Sequence, residues 1–537
     1  MTEAGTLPSD VGLSRFQRRA IWLCIIVSAL LAVLVVVHAA TAHLVIEPAY
    51  RGEAHPLLNR LVRDRTLPIE VYYLKARRLT TRVVILGIAG QAALLLLAFR
   101  RQVADFFKQY FSEPDSAFNL AVFRGTVFAA LLWLVLRDRD LITTFSAMPD
   151  ELRYPPLGSG WIVRHLRFDP ATTSGLLMIL MAACVTGLVG LFSRTSALVA
   201  GVLGIFVLGI PQCFGKVNHY HFLIWMALLL SASRCGDALA LDTLWRRRGP
   251  PDRSAVYGAP LRFAWLLIAI MYFFPGFWKL YVSGFDWAFS DNLTNTLREK
   301  WLELGDWQPL VRADLVPPLC WAMALTTIAF ELAFPILVLF RPTRLAAACV
   351  ALAFHTGTLL LMNINYAILQ LMYVSFIDWD GLLRRIRKTP KTACDNAAPP
   401  FGLVAVGATL LAVNSVLGFA LIELSWPFAC GPTFADMTGP ETYAIRLYVK
   451  SAGAPEAEPF DDLSIRHRLR SERWQALIAR IANEPEMADR ESKFSALWDF
   501  LVRIELVSSN LELVEVKELT IRLEDGAVMK SIGKWSR

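Results

Sequence analysis

Residues 20–42 read AIWLCIIVSALLAVLVVVHAATA, 23 positions without an Asp, Glu, Lys or Arg. As a helix rising 1.5 Å per residue this stretch is about 34 Å long, enough to cross a hydrocarbon core of about 30 Å. Ten further apolar runs follow at 83–99, 117–136, 172–192, 195–213, 219–233, 263–281, 315–340, 345–362, 365–377 and 401–424. The chain has 537 residues, 55% hydrophobic and only 19% charged, and a mean hydropathy of +0.44. Soluble domains carry about a quarter charged residues. A disordered chain, a disulfide-stapled mini-domain and an ordinary cytosolic enzyme are therefore excluded. The expected fold is an all-α polytopic membrane helix bundle of about eleven spans, the shorter ones tilted, buried or re-entrant.

The net charge of +8 belongs to membrane flanks, so no nucleic-acid partner is expected. Lys/Arg bias puts the N-terminus in the cytoplasm, with Arg15/Arg18/Arg19, Arg100/Arg101, Arg194, Arg246/Arg247/Arg248, Arg341/Arg344 and Arg384/Arg385/Arg387/Lys388 on that side. The Arg-rich segment 43–82 is the exception. An odd number of spans then places the C-terminal tail outside. A cleaved signal peptide is the alternative reading of the first span, with Ala40-Thr41-Ala42 after it. Eight Cys residues show no metal-ligand spacing. Cys213 and Cys430 both fall near the outer surface, where an oxidising compartment would let them pair.

Composition shifts suggest a two-span leader (1–112), a central membrane domain (113–392), a final span (393–425) and an extracytoplasmic tail (426–537). The tail reads as a small α+β domain. Residues 442–449 alternate, 464–481 and 492–504 have helical period, and 511–516 and 519–523 read as two strands.

Ionisable groups inside spans are expensive and are functional candidates by default. Asn218-His219-Tyr220-His221 opens the sixth span. Phe274-Pro275-Gly276-Phe277-Trp278-Lys279 closes the seventh. Glu331 lies in the eighth and His355 in the ninth, about 10 Å of helix below its outer end. His219, Lys279 and His355 thus fall at similar depth and are expected to converge on one cavity in the outer leaflet. A lysine acts as a base only when neutral, the form that an apolar, aromatic site favours. Phe273, Phe274, Phe277, Trp278 and Trp287 offer such surroundings, and Gly276 leaves room for a flat ligand. The bland readings are a snorkelling Lys279, interfacial histidines, and a structural Glu331 paired with Arg124.

At these residues the sequence resembles the HTTM (horizontally transferred transmembrane) family, which includes vitamin K-dependent gamma-carboxylases. The likeness covers residues 117–385. It rests on Asn218-His219, on Pro275-Gly276-Phe277-Trp278-Lys279-Leu280 with Gly284-Phe285-Asp286-Trp287, on Glu331, and on Phe354-His355 followed by Asn363 and Asn365. The resemblance implies a lysine, Lys279, that deprotonates a vitamin K-like hydroquinone. O2 then turns the ring into a strong base that takes a γ-proton from a glutamyl side chain, CO2 adds, and the quinone leaves as an epoxide. It further implies His219 as an acid/base or positioning group and His355 as a support that contacts the quinone. Phe274, Gly276, Phe277, Trp278 and Trp287 would line the cofactor. Asn218, Arg124 and Glu331 would be structural polar groups. Two departures stand out: Trp278 replaces a second lysine of the carboxylase, and the tail of about 110 residues has no evident propeptide-binding region.

Three functions remain in view. The first is a quinone-dependent, carboxylase-like membrane enzyme with a protein or peptide substrate outside. The second is a non-catalytic scaffold whose tail binds a partner. The third is a transporter, against which stands the lack of inverted repeats.

Overall fold

A computed structural model describes residues 13–536 other than 61, 63, 65, 159–168, 219, 246–252, 306, 389–393, 396, 423–424, 429–433 and 452. His219 and Cys430 therefore lie outside the described residues. The chain divides into two compact units: Met1–Tyr110 with Trp278–Trp287, and Phe111–Phe277 with Ala288–Arg537.

Among the described residues, nine helices are long and apolar enough to cross a membrane. They are α1 (Arg15–Arg51), α2 (Ile69–Ala98), α3 (Ala117–Ser146), α4 (Pro170–Val189), α5 (Ser193–Val207, whose span continues through a 3-10 turn to Cys213), α7 (Ala255–Ser283), α8 (Pro317–Leu339), α9 (Arg341–Met362) and α12 (Phe401–Phe419). The expected sixth and tenth spans are shorter: α6 (His221–Ser231) and α10 (Ala367–Met372), the latter continued by a 3-10 turn to Phe376. Eleven residues of helix reach only about 16 Å. The sixth apolar run, 219–233, is itself short of a span, and its helix covers eleven of those residues before the chain turns.

In the first unit α1 and α2 pair through small and polar contacts. Gln17 Nε2 donates to Ala98 O at 3.3 Å and Ser28 Oγ to Gln91 Oε1 at 2.9 Å. Ser14 and Gln17 form a reciprocal capping box that starts α1. The helix then runs unbroken through Ala40–Ala42 to Arg51. Two arginines of the Arg-rich segment have protein partners. Arg77 pairs with Asp286 at 3.2 Å, and Arg82 donates to Tyr281 O at 2.9 Å while lying over the Tyr281 ring. Charges already matched by protein carry little information about sidedness.

In the second unit α3 is buried along most of its length and α6 nearly throughout. One end of this unit is tied by a polar knot. Glu113 accepts from Arg262 at 2.8 Å and Arg344 at 3.2 Å. Asn119 bridges Asp115 (2.7 Å), Asp378 (2.9 Å) and the Asp380 amide (2.9 Å). Although burial raises the Glu113 carboxyl, Arg262 and Arg344 hold it below its usual range.

The tail contains strands β1 (Glu441–Ser451), β2 (Glu458–Pro459), β3 (Leu511–Arg522) and β4 (Val528–Ser536), ordered β2-β1-β3-β4 and antiparallel throughout. The two strands expected at 511–523 are one, with register shifts at Val516/Lys517 and Thr520/Ile521 in its pairing with β4. The polar Lys517-Glu518 step is absorbed by this irregularity rather than by a turn. The expected helix 464–481 breaks at Arg470, whose φ is +70°, so that α13 (Ser471–Ala482) begins anew. With α14 (Met487–Arg503) it buries Trp474, Leu477, Ile478, Phe494 and Leu501.

The tail is anchored within the second unit by a buried arginine. Arg473 donates to Pro211 O, to Lys216 O (2.6 Å) and to Gln212 Oε1 (3.0 Å). Burial pushes its guanidinium down to about 10, which leaves it charged at neutral pH.

Candidate functional site

Helix α7 carries Lys279 one turn before its end, and Gly284 follows with a φ of +66° that favours glycine. Lys279 is 3% exposed. Its Nζ lies 5.2 Å from the centre of the Trp287 ring, in the same unit. Trp278 packs edge-on against Tyr281 at 5.2 Å.

The remaining expected lining residues face another way. Phe274 and Phe277 meet Phe419 of α12 at 5.0 and 5.8 Å, and Phe277 stacks on Phe273 at 5.8 Å. Phe277 and Lys279 are two positions apart, about 200° around a helix, so one face holds α12 and the other holds the lysine. Of the aromatic residues expected around Lys279, Trp287 has its ring under the amine.

At Gly276 the space is taken by protein. A Cβ there would stand 2.8 Å from Glu331 Cβ and 3.3 Å from its Oε2. The missing side chain admits α8 and its buried carboxyl, not a flat ligand. Nor is Glu331 the partner of Arg124. Arg124, 1% exposed, gives Nη1 to Cys235 O (2.8 Å) and Ala238 O (3.3 Å), and Nη2 to Leu239 O (2.5 Å). These carbonyls belong to the turns after α6. Backbone that leaves a helix inside a membrane protein needs such donors.

His355 sits 5% exposed in α9. Its Nε2 lies 2.8 Å from the Tyr272 hydroxyl, which also bonds the Tyr373 hydroxyl. Its ring lies 4.4 Å from that of Tyr366, with Phe354 at 5.1 Å. Nδ1 is buried with no hydrogen-bond partner among the described residues. Glu331 follows Phe330 on α8, and the Phe330 ring meets that of Tyr272 at 5.1 Å. The second unit therefore gathers His355, Glu331 and three tyrosines that sequence reasoning missed. A tyrosine inside an apolar run scores as hydrophobic. The available signal was Tyr272, on the same helix as Lys279 and two turns earlier.

The Asn218 backbone amide donates to Gln212 Oε1 at 2.7 Å. Asn218 lines a polar cavity of about 220 Å³ with Arg137, Asp138, Tyr220, Glu303, Arg470 and Glu472. No cluster of His, Cys, Asp or Glu able to hold a metal occurs among the described residues.

Residues 91–379 match the HTTM domain. The chain belongs to the HTTM domain family. That match covers more than half of the 537 residues and takes in α3 to α10, with Arg124, Asn218, Tyr272, Gly276, Lys279, Trp287, Glu331, His355, Tyr366 and Tyr373. The HTTM region thus contains the whole membrane part of the second unit except α12. Helix α1 and the tail lie beyond it. No curated protein and no solved structure matches this HTTM chain.

Proposed function

We propose that this HTTM protein is an integral membrane enzyme of the gamma-carboxylase-like kind, working with a reduced quinone at the outer leaflet. The observation that carries the reading is Lys279, an amine buried to 3% exposure in a membrane helix beside Trp287. Lipid-facing lysines reach for the headgroups; this one is enclosed by protein.

One observation supports a quinone. His355 Nδ1 is a buried polar atom without a protein partner among the described residues, flanked by the Tyr366 and Phe354 rings. It suits a flat ring bearing an oxygen. When bound, a reduced quinone would supply electrons to O2 and so a base stronger than any side chain, with CO2 as the group then added. In this reading His355 Nδ1 orients a ring oxygen within the second unit, and Lys279, in the first, keeps the role of base that the family resemblance implies. Tyr272 fixes the imidazole through Nε2, and Tyr366 presents a stacking face. The acceptor would be a protein or peptide outside the membrane.

Mass spectrometry of the lipid extract from gently purified protein tests this directly. A co-purifying quinone or its epoxide, lost in His355→Leu, is the expected result. Protein purified from quinone-containing membranes that carries neither species would sink the proposal.

A further inference from the structure

Helix α11 (Trp379–Arg387) lies between the 3-10 turn ending at Phe376 and α12, both apolar elements of the second unit. Its inward side belongs to the polar knot: Asp380 is buried and holds Arg384 Nε at 2.9 Å. The outward side is different. Leu382 and Ile386 are 45% and 69% exposed. With Trp379 they follow a three- and four-residue spacing, which makes one apolar stripe. Arg385 and Arg387 border this stripe on either side by the helix period, and Lys388 ends it at a φ of +53°. All three are exposed, and none makes an ion pair among the described residues.

We propose that α11 is an interfacial helix that binds anionic phospholipid headgroups. Its apolar stripe enters the acyl boundary while Arg385, Arg387 and Lys388 meet the lipid phosphates. Charge decides the occupant. An apolar stripe rimmed by uncompensated cations is complementary to an anionic leaflet, and only 24 residues separate the flanking apolar elements, which keeps the helix near the surface. The part-buried Asp380–Arg384 pair sets the roll of the helix so that the stripe faces away from the knot. This inference does not depend on the proposed enzymatic activity.

The test uses full-length protein reconstituted in mixed phosphatidylglycerol and phosphatidylcholine vesicles, re-extracted in mild detergent, with retained lipid read by mass spectrometry. Wild type should retain an excess of phosphatidylglycerol over the vesicle ratio. In R385Q/R387Q/K388Q that excess should fall by about fivefold for each basic residue removed, whereas R385K/R387K should keep it. If the Gln variant fails to fold, a wash of wild type at 1 M salt, where the screening length is about 3 Å, should strip the excess instead. A wild type without excess, an excess unchanged in the folded Gln variant, or one that survives the salt wash would each overturn the proposal.

Discussion

His355 Nε2 and the Tyr272 hydroxyl meet at 2.8 Å across the α7–α9 contact, and that same hydroxyl reaches Tyr373. One oxygen thus links two helices and a 3-10 turn. In Tyr272→Phe the imidazole and the Tyr373 hydroxyl lose a buried partner together. Each unsatisfied group costs about 1–3 kcal/mol. The melting temperature in detergent should drop clearly. Adding His355→Leu should cost less in the Tyr272→Phe background than in wild type, and strictly additive losses would mean that the two groups are not coupled.

Gly276→Ala tests the closeness of α7 and α8. Alanine normally gains up to about 1 kcal/mol over glycine inside a helix. Here its Cβ would meet Glu331 Cβ at 2.8 Å, and neither atom can swing away. The helices must separate, at a cost of about 1–3 kcal/mol. Thermal unfolding should show a net loss. A neutral or stabilised variant would show that the contact is looser than this geometry requires.

Arg124 serves three carbonyls from one planar group. An ammonium has no such fork, so Arg124→Lys should lower stability by about 1–3 kcal/mol even though the charge is kept. Hydrogen exchange in the turns at 232–240 should rise first. Unchanged protection there would remove Arg124 as their clamp.

The tail has its own acid-sensitive fastening. Tyr154 donates to Glu484 Oε1 at 2.7 Å, and Lys493 closes on the same oxygen. The hydrogen bond from Lys493, then that from Tyr154, hold the Glu484 carboxyl below its ordinary range. A depressed carboxylate stabilises above its unfolded value, near 4.3, and the contribution disappears as pH falls through the lower folded value. Wild-type tail should resist proteolysis at neutral pH and loosen below about pH 4.3. Glu484→Gln should be looser at neutral pH and show less of this acid dependence.

The spans were legible because an apolar run of about 20 residues has few alternatives. Where α6 stops was not, because the turns beyond it are held by Arg124's bonds to their carbonyls. Carbonyl partners leave no mark in a sequence. His355 was legible as a titratable group in an apolar helix, whereas Tyr272 and Tyr373 hid among hydrophobic neighbours. Phe274 and Phe277 are near Lys279 in sequence, but the helix period turns them to α12. Strand β4 was overlooked because its one well-buried residue is Trp535. It is a strand because β3 offers a partner, which is tertiary information.

Lys279 separates the remaining readings most sharply. Its Nζ over the Trp287 ring is a contact that a cation makes best, so a structural role as a buried cation is the serious rival to a base. Arg keeps the positive charge, most of the bulk and the preference for an aromatic face, but it does not give up its proton. If Lys279 is a base, Lys279→Arg and Lys279→Ala should both abolish turnover of an added naphthohydroquinone, read as oxygen uptake in reconstituted vesicles. Arg should then retain the melting temperature that Ala loses. If Lys279 is only a cation for Trp287, Arg should restore both stability and whatever function the protein has, and Trp287→Leu should mimic Lys279→Ala in stability. Turnover in Lys279→Arg at the wild-type rate would take the central residue from the enzyme reading. A scaffold whose tail does the work would then be the better account of the chain, with tail deletion, not Lys279→Ala, as the damaging change.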